Sequence, residues 1–118
     1  MAVFSLLAPE QYALGLESIY EGYLLHYGRP RLFEPADKDA ALLLGDYLYA
    51  HGLVRIAAFG AIEAVATLAE LISACAHLRA EGHDGDGDEW VTAARRLGGE
   101  ADAAAVERAL SLHTSRFG

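Results

Sequence analysis

The sequence predicts an all-α fold, a bundle of about five helices in one domain of 118 residues. Three observations predict it. Apolar residues recur three and four positions apart through most of the chain. The hydrophobic fraction is 53 % and draws heavily on Ala and Leu rather than on β-branched residues. Gly and Pro fall between the periodic stretches, where they end helices. The length is enough for a real hydrophobic core.

Pro9 suits the first turn of a helix. From it Tyr12, Leu16, Ile19, Tyr20, Tyr23, Leu24 and Tyr27 recur at helical spacing, and Gly28 followed by Pro30 ends the element. The first helix is therefore expected over 9–27. Residues 29–36 carry two prolines and read as a loop. Asp37 or Asp39 can cap a second helix over 37–59, which is apolar on nearly every side and is expected to be buried on more than one face. Gly60 marks a break, and a third helix is expected over 61–81, with the stripe Ile62, Val65, Leu68, Ile72, Cys75 and Leu78. Gly82 ends it. His83 to Glu89 reads as an acidic, mobile, glycine-rich loop. Two shorter helices are expected over 88–97 and 101–114, separated by Gly98 and Gly99.

Composition narrows the function classes. The formal net charge is −8 and only one Lys, Lys38, is present. Nucleic-acid binding relies on clustered Lys and Arg, so no nucleic-acid partner is expected. No apolar run reaches the roughly 18 residues of a membrane span, and no basic segment precedes an apolar one as in a signal peptide. The single Cys75 forms no internal disulfide and fits a reducing, cytoplasmic setting.

Gly45-Asp46-Tyr47-Leu48-Tyr49-Ala50 is the most unusual stretch. A Gly inside a helix costs about 1 kcal/mol against Ala. A carboxylate among Leu and Tyr needs a partner or water. With Gly28-Arg29-Pro30 before it and Glu81-Gly82 after it, this stretch resembles the polyprenyl diphosphate synthase family. Those enzymes carry an aspartate-rich DDxxD motif, paired arginines, a Gly-x-Pro turn, an apolar helix with a Gly-Asp-x-Leu signature, and a helix ending in Glu-Gly. The resemblance covers roughly residues 14–82 and implies a fragment of the isoprenoid synthase fold, with Gly28, Arg29, Pro30, Gly45 and Asp46 as scaffold residues.

The departures bear on chemistry. Aligned on Gly28, the aspartate-rich motif falls on Glu17-Ser18-Ile19-Tyr20-Glu21, and the paired arginines fall on His26 and Tyr27. The family's reaction ionises an allylic diphosphate, and departure of the diphosphate needs Mg²⁺ held by several carboxylates. Forked arginine donors grip the phosphates. The chain stops before the family's second aspartate-rich motif. No catalytic residue is expected, and the chain alone is expected to lack prenyltransferase activity, as a pseudoenzyme. Glu17 and Glu21 lie one helical turn apart. They are expected to be solvated acids, with weak Mg²⁺ binding as the alternative and no other metal or cofactor.

Asp46 is expected to be a buried structural acid, bonded to a neighbouring helix or paired with Arg29, Arg31 or Arg55. The tyrosines, Tyr20, Tyr23 and Tyr47 in particular, could line a pocket for an isoprenoid tail. Ordinary packing with hydroxyls reaching the surface is the competing expectation. Asp84-Gly85-Asp86-Gly87-Asp88 alternates acids like a calcium loop, but its twelfth position, counted from Asp84, is Arg95 rather than the required Glu. Cys75 lies on the apolar stripe and reads as core. His77, Glu81 and His83 lack the Glu-x-x-His spacing of a di-iron bundle. Ser111, His113 and Ser115 suggest no triad.

In the family that the chain resembles, the two helices after the aspartate-rich one build the dimer interface. Here they are the second and third helices, with Leu48, Leu53, Ile62, Val65, Leu68 and Ile72 as expected interface residues. The leading expectation is a non-catalytic interaction or regulatory subunit, acting as a homodimer or as a heteromer with a full-length prenyl synthase or another protein. A module holding an isoprenoid or quinone tail is one alternative. An accessory subunit of a larger assembly, such as a respiratory complex, is the other.

Overall fold

The computed structural model describes residues 2–59 and 62–117. Five helices follow one another: α1 Ala13–Tyr27, α2 Lys38–Ala57, α3 Ile62–Ala80, α4 Asp86–Arg96 and α5 Ala103–Ser115. No strand occurs among the described residues, and the fold is all-α. The break expected at Gly60 and the helix start at Ala61 lie outside the described residues. Two short 3₁₀ turns, Ser5–Leu7 and Glu10–Tyr12, precede α1. The second begins just after Pro9, so the regular helix starts later than the proline suggested.

Local chemistry sets several ends. The Asp37 carboxylate accepts from the Ala40 N–H at 2.8 Å and caps α2; Asp102 accepts from the Ala105 N–H at 2.9 Å and caps α5. Gly82, at φ +69°, closes α3 in the left-handed region, and the His83 N–H reaches the Leu78 carbonyl at 2.9 Å.

The central helix is α1. It buries Leu16, Ile19, Tyr20, Tyr23 and Leu24 in a core shared with Val3, Phe4 and Leu7 of the N-terminal turn, Leu68, Leu71 and Cys75 of α3, and Trp90, Val91 and Ala94 of α4. Trp90 lies face to face with Phe4 at 5.5 Å and edge-on to Tyr20 at 5.1 Å. By contrast α2, expected to be buried on several faces, lies against α1 and buries only Gly45, Leu48, Gly52 and Ile56. Its apolar composition does not translate into burial because only one side meets the rest of the chain.

That side is a glycine seam. Gly15 and Gly22 of α1 face Gly52 and Gly45 of α2. A Cβ on Gly52 would stand 2.7 Å from the Gly15 carbonyl oxygen and 2.5 Å from Ile19 Cγ1. One on Gly22 would stand 2.8 Å from the Gly45 carbonyl oxygen. Only hydrogen at these positions lets the two backbones come so close. Gly45 therefore offsets its poor helix propensity by permitting contact between helices, and Gly52 serves the same contact within an α2 that runs on to Ala57.

Candidate functional site

Two polar clusters and one apolar surface are the features with functional meaning. The first cluster holds the residues aligned with the aspartate-rich motif. Glu21 is not solvated: it is 1 % exposed. Its carboxylate accepts from the Arg31 Nε at 3.0 Å and from the backbone N–H groups of Arg31 and Leu32, each at 2.9 Å. Glu17 accepts from the Ser5 hydroxyl and pairs with Arg31 Nη1 at 2.9 Å. The Arg31 guanidinium also lies 4.9 Å from the centroid of the Tyr20 ring. The expected pair of solvated acids is thus an arginine clamp that fastens the loop after α1 back onto the helix. A buried carboxylate needs such compensation, and the same donors occupy the oxygens a metal ion would require.

The second cluster was not foreseen. The Asp86 Oδ2 accepts from the Tyr23 hydroxyl at 2.8 Å, from Arg79 Nη2 at 2.6 Å and from His113 Nε2 at 2.9 Å. His113 Nδ1 lies 2.7 Å from the Tyr20 hydroxyl. The His113 ring thus bridges the Asp86 carboxylate and the Tyr20 hydroxyl through its two nitrogens. Arg79 Nε donates to the Tyr23 hydroxyl at 3.0 Å, and the Phe117 ring covers the guanidinium at 3.9 Å. The cluster ties α1, α3, α4 and α5 together.

Burial opposes the Asp86 charge, but the hydrogen bonds from His113, Tyr23 and Arg79 hold its carboxyl well below the ordinary carboxylate range. Burial likewise opposes the Arg79 charge, and its bonds to Tyr23 and Asp86 raise its pKa nonetheless. Burial raises the pKa of both Tyr20 and Tyr23 well above the usual phenol value, so both hydroxyls hold their protons more tightly. An Asp–His–hydroxyl relay has the form that activates a nucleophile. Here the hydroxyl belongs to Tyr20, which is 1 % exposed and enclosed by Phe4 and Trp90. The relay serves as a core fastening.

These positions correct several expectations. Asp86 belongs to a helix and to the interior, because α4 begins at Asp86 rather than after a mobile loop. Tyr20 and Tyr23 spend their hydroxyls on the buried network instead of reaching the surface, and Tyr47 stands far out, 63 % exposed, stacked on His51 at 5.8 Å. The three tyrosines form no common wall. Asp46 is exposed rather than buried, and its neighbour is His26, at 3.1 Å without hydrogen-bond alignment. The arginines expected beside it are engaged elsewhere: Arg29 donates to the Ser115 carbonyl, Arg31 serves Glu17 and Glu21, and Arg55 donates to His51 Nε2 at 2.9 Å. Gly28 and Arg29 dock on the end of α5, where a Cβ on Gly28 would meet the Phe117 ring at 2.8 Å and the Arg29 N–H donates to the Arg116 carbonyl at 3.0 Å.

Cys75 is fully buried, and burial pushes its thiol up to about 12. His77 lies 2.6 Å from Glu81 on the surface. No group of three metal-ligating side chains occurs among the described residues. No helix there is long and apolar enough to cross a membrane.

The apolar surface lies on α2, on the side away from the glycine seam. Leu43, Tyr47 and Val54 are 72 %, 63 % and 67 % exposed, and Ala50 between them and Ala57 one turn beyond are exposed too. Their spacing of four, three, four and three residues is that of a helix seam. The residues expected at an interface are distributed differently. Leu68 and Leu48 are inside the chain's own core or against α1, Leu53, Val65 and Ile72 are partly buried on that core, and Ile62 is 83 % exposed. Periodicity identifies an apolar face but not which of two faces the fold covers.

No protein-family model, curated protein or solved structure matches this chain.

Proposed function

We propose that this protein is a non-catalytic helical interaction or regulatory subunit, laid out like a shortened polyprenyl diphosphate synthase, that meets its partner through the outer face of α2. The observation that carries this reading is the uncovered stripe Leu43, Tyr47, Ala50, Val54 and Ala57, opposite the seam that holds α2 to α1. An ordered apolar stripe on a small chain is characteristic of a contact surface. The fate of Glu17 and Glu21 supports the non-catalytic half. Both carboxylates are committed to Arg31, which leaves them poorly suited to hold Mg²⁺ beside a diphosphate.

Two measurements test the reading. The purified protein, given allylic and isopentenyl diphosphates with Mg²⁺, forms no prenyl product; robust product overturns it. A photo-cross-linking residue at position 47, in the cells that make the protein, gives a discrete protein adduct, whereas the same residue at position 73, on the exposed side of α3, gives none. Absence of an adduct at position 47 overturns the contact role.

A further inference from the structure

We propose that the groove between the first turns of α3, the end of α4 and Tyr12 is a binding site for a small aliphatic monocarboxylate. The groove has a volume of about 830 Å³ and is lined by Tyr12, Ile62, Glu63, Thr67, Arg96 and Leu97, with two alanines of α3. It is separate from the outer face of α2 and does not depend on the contact role given to that face.

Two hydroxyls carry the inference. Thr67 is 6 % exposed and lies on the side of α3 that also buries Ala64, Leu68 and Leu71. A threonine within a helix commonly returns its hydroxyl to the carbonyl four residues earlier, as Thr114 does to Leu110 at 2.9 Å. Thr67 makes no such bond. Its hydroxyl has no partner among the described residues and is not sealed off from the groove. Tyr12 is 8 % exposed, with its ring edge-on to Phe59 at 5.9 Å, and its hydroxyl is likewise unpartnered and open to the groove. Valine and phenylalanine would fill these two positions without a polar atom to satisfy. Two side chains more than nine-tenths buried thus present unspent hydroxyls to one recess.

The charges around them select the ligand. Arg96 spends Nη1 on Glu70 at 2.9 Å and makes no other hydrogen bond among the described residues, which leaves Nε and Nη2 for a second acceptor. Ile62, Glu63 and Ala64, in the first turn of the 19-residue α3, border the same space and bring the positive end of the helix to it. Guanidinium, hydroxyls and helix end all favour an oxyanion. Glu63, exposed at the rim, opposes a second negative charge, so a single carboxylate suits the groove better than a phosphate or diphosphate. Ile62, 83 % exposed, and the half-buried Leu97 supply an aliphatic wall for the body of the acid.

Hexanoate titrated into the whole isotope-labelled chain, followed by amide NMR, tests this. Shifts centred on residues 62–67 and 96–97 and saturating in the millimolar range are expected, the affinity of so small a ligand. Hexylamine, with the same body and the opposite charge, and inorganic phosphate give no saturating shift there. Thr67→Val weakens hexanoate about tenfold, the loss of one charge-assisted hydrogen bond, while its unfolding midpoint equals or exceeds that of the unaltered chain. Thr67→Ser, which keeps the hydroxyl, retains binding, and Arg96→Gln loses at least as much as Thr67→Val.

No saturating shift in the groove overturns the inference, as does equal binding of hexylamine or undiminished binding by Thr67→Val. Shifts confined to the outer face of α2 also overturn it, since they report adhesion to the exposed stripe. None of these results touches the contact role of α2, which the position-47 adduct decides.

Discussion

Gly22 and Gly45 touch backbone to backbone. A Cβ on Gly22 would stand 2.8 Å from the Gly45 carbonyl oxygen, and one on Gly45 would stand 3.0 Å from that of Gly22. Gly15 and Gly52 repeat the relationship two turns away, so the α1–α2 contact is set by four hydrogens where side chains would otherwise be.

Gly52→Ala and Gly22→Ala are expected to destabilise the fold by about 2 kcal/mol each, the scale of core overpacking. The sign runs against helix propensity, which by itself would favour Ala by about 1 kcal/mol. Urea unfolding followed by Trp90 fluorescence measures it. Increased stability in either variant would show that the helices are not held at this distance.

Arg31→Met leaves Glu21 buried without its charge partner and is expected to cost about 3–5 kcal/mol. The paired change Glu21→Leu with Arg31→Met recovers most of that loss, because two apolar groups replace the ion pair. A double-mutant cycle of unfolding free energies checks both values. Equal losses in the single and double variants would refute the clamp.

Asp86→Asn is expected to cost about 3 kcal/mol at pH 7, since Arg79 loses its buried counter-charge. It also changes the response to acid. The folded carboxyl is held below its unfolded value, so it releases its proton more readily when folded. Its contribution is fully present above about pH 4, the ordinary Asp range, and is lost as pH falls further toward the folded value. Unfolding measured from pH 7 down to pH 2 should show a steeper decline for the unaltered protein than for Asp86→Asn. Parallel declines would mean that Asp86 does not carry the network.

Cys75 should resist thiol reagents at pH 8 in the folded protein and react fully in denaturant. Burial removes access and disfavours the thiolate. Labelling rates measured with and without urea decide the point. Rapid native labelling would place the residue outside the core.

The helical class, a cap at Asp37 or Asp39 and the stop at Gly82 were legible because each depends on neighbours within one turn. The same holds for the apolar side of α1, where Leu16, Ile19, Tyr23 and Leu24 mark the buried face at helical spacing. Asp86 was not legible as a core residue. Its sequence context is acidic and glycine-rich, and the donors that make its burial tolerable, Tyr23, Arg79 and His113, lie on three other helices. Glu21 misled for the same reason, since its partner Arg31 arrives only when the loop folds back.

Sequence alone determined that this chain would be helical, where most of its helices would begin and end, and that α2 would carry more apolar surface than one contact needs. Only the tertiary structure decided which side of α2 the fold covers, that Asp46 faces outward, and that Asp86 and Glu21 are enclosed. Helix formation follows from local spacing and capping. Burial of a charge, or close approach of two backbones, depends on groups from distant positions meeting within a few ångströms.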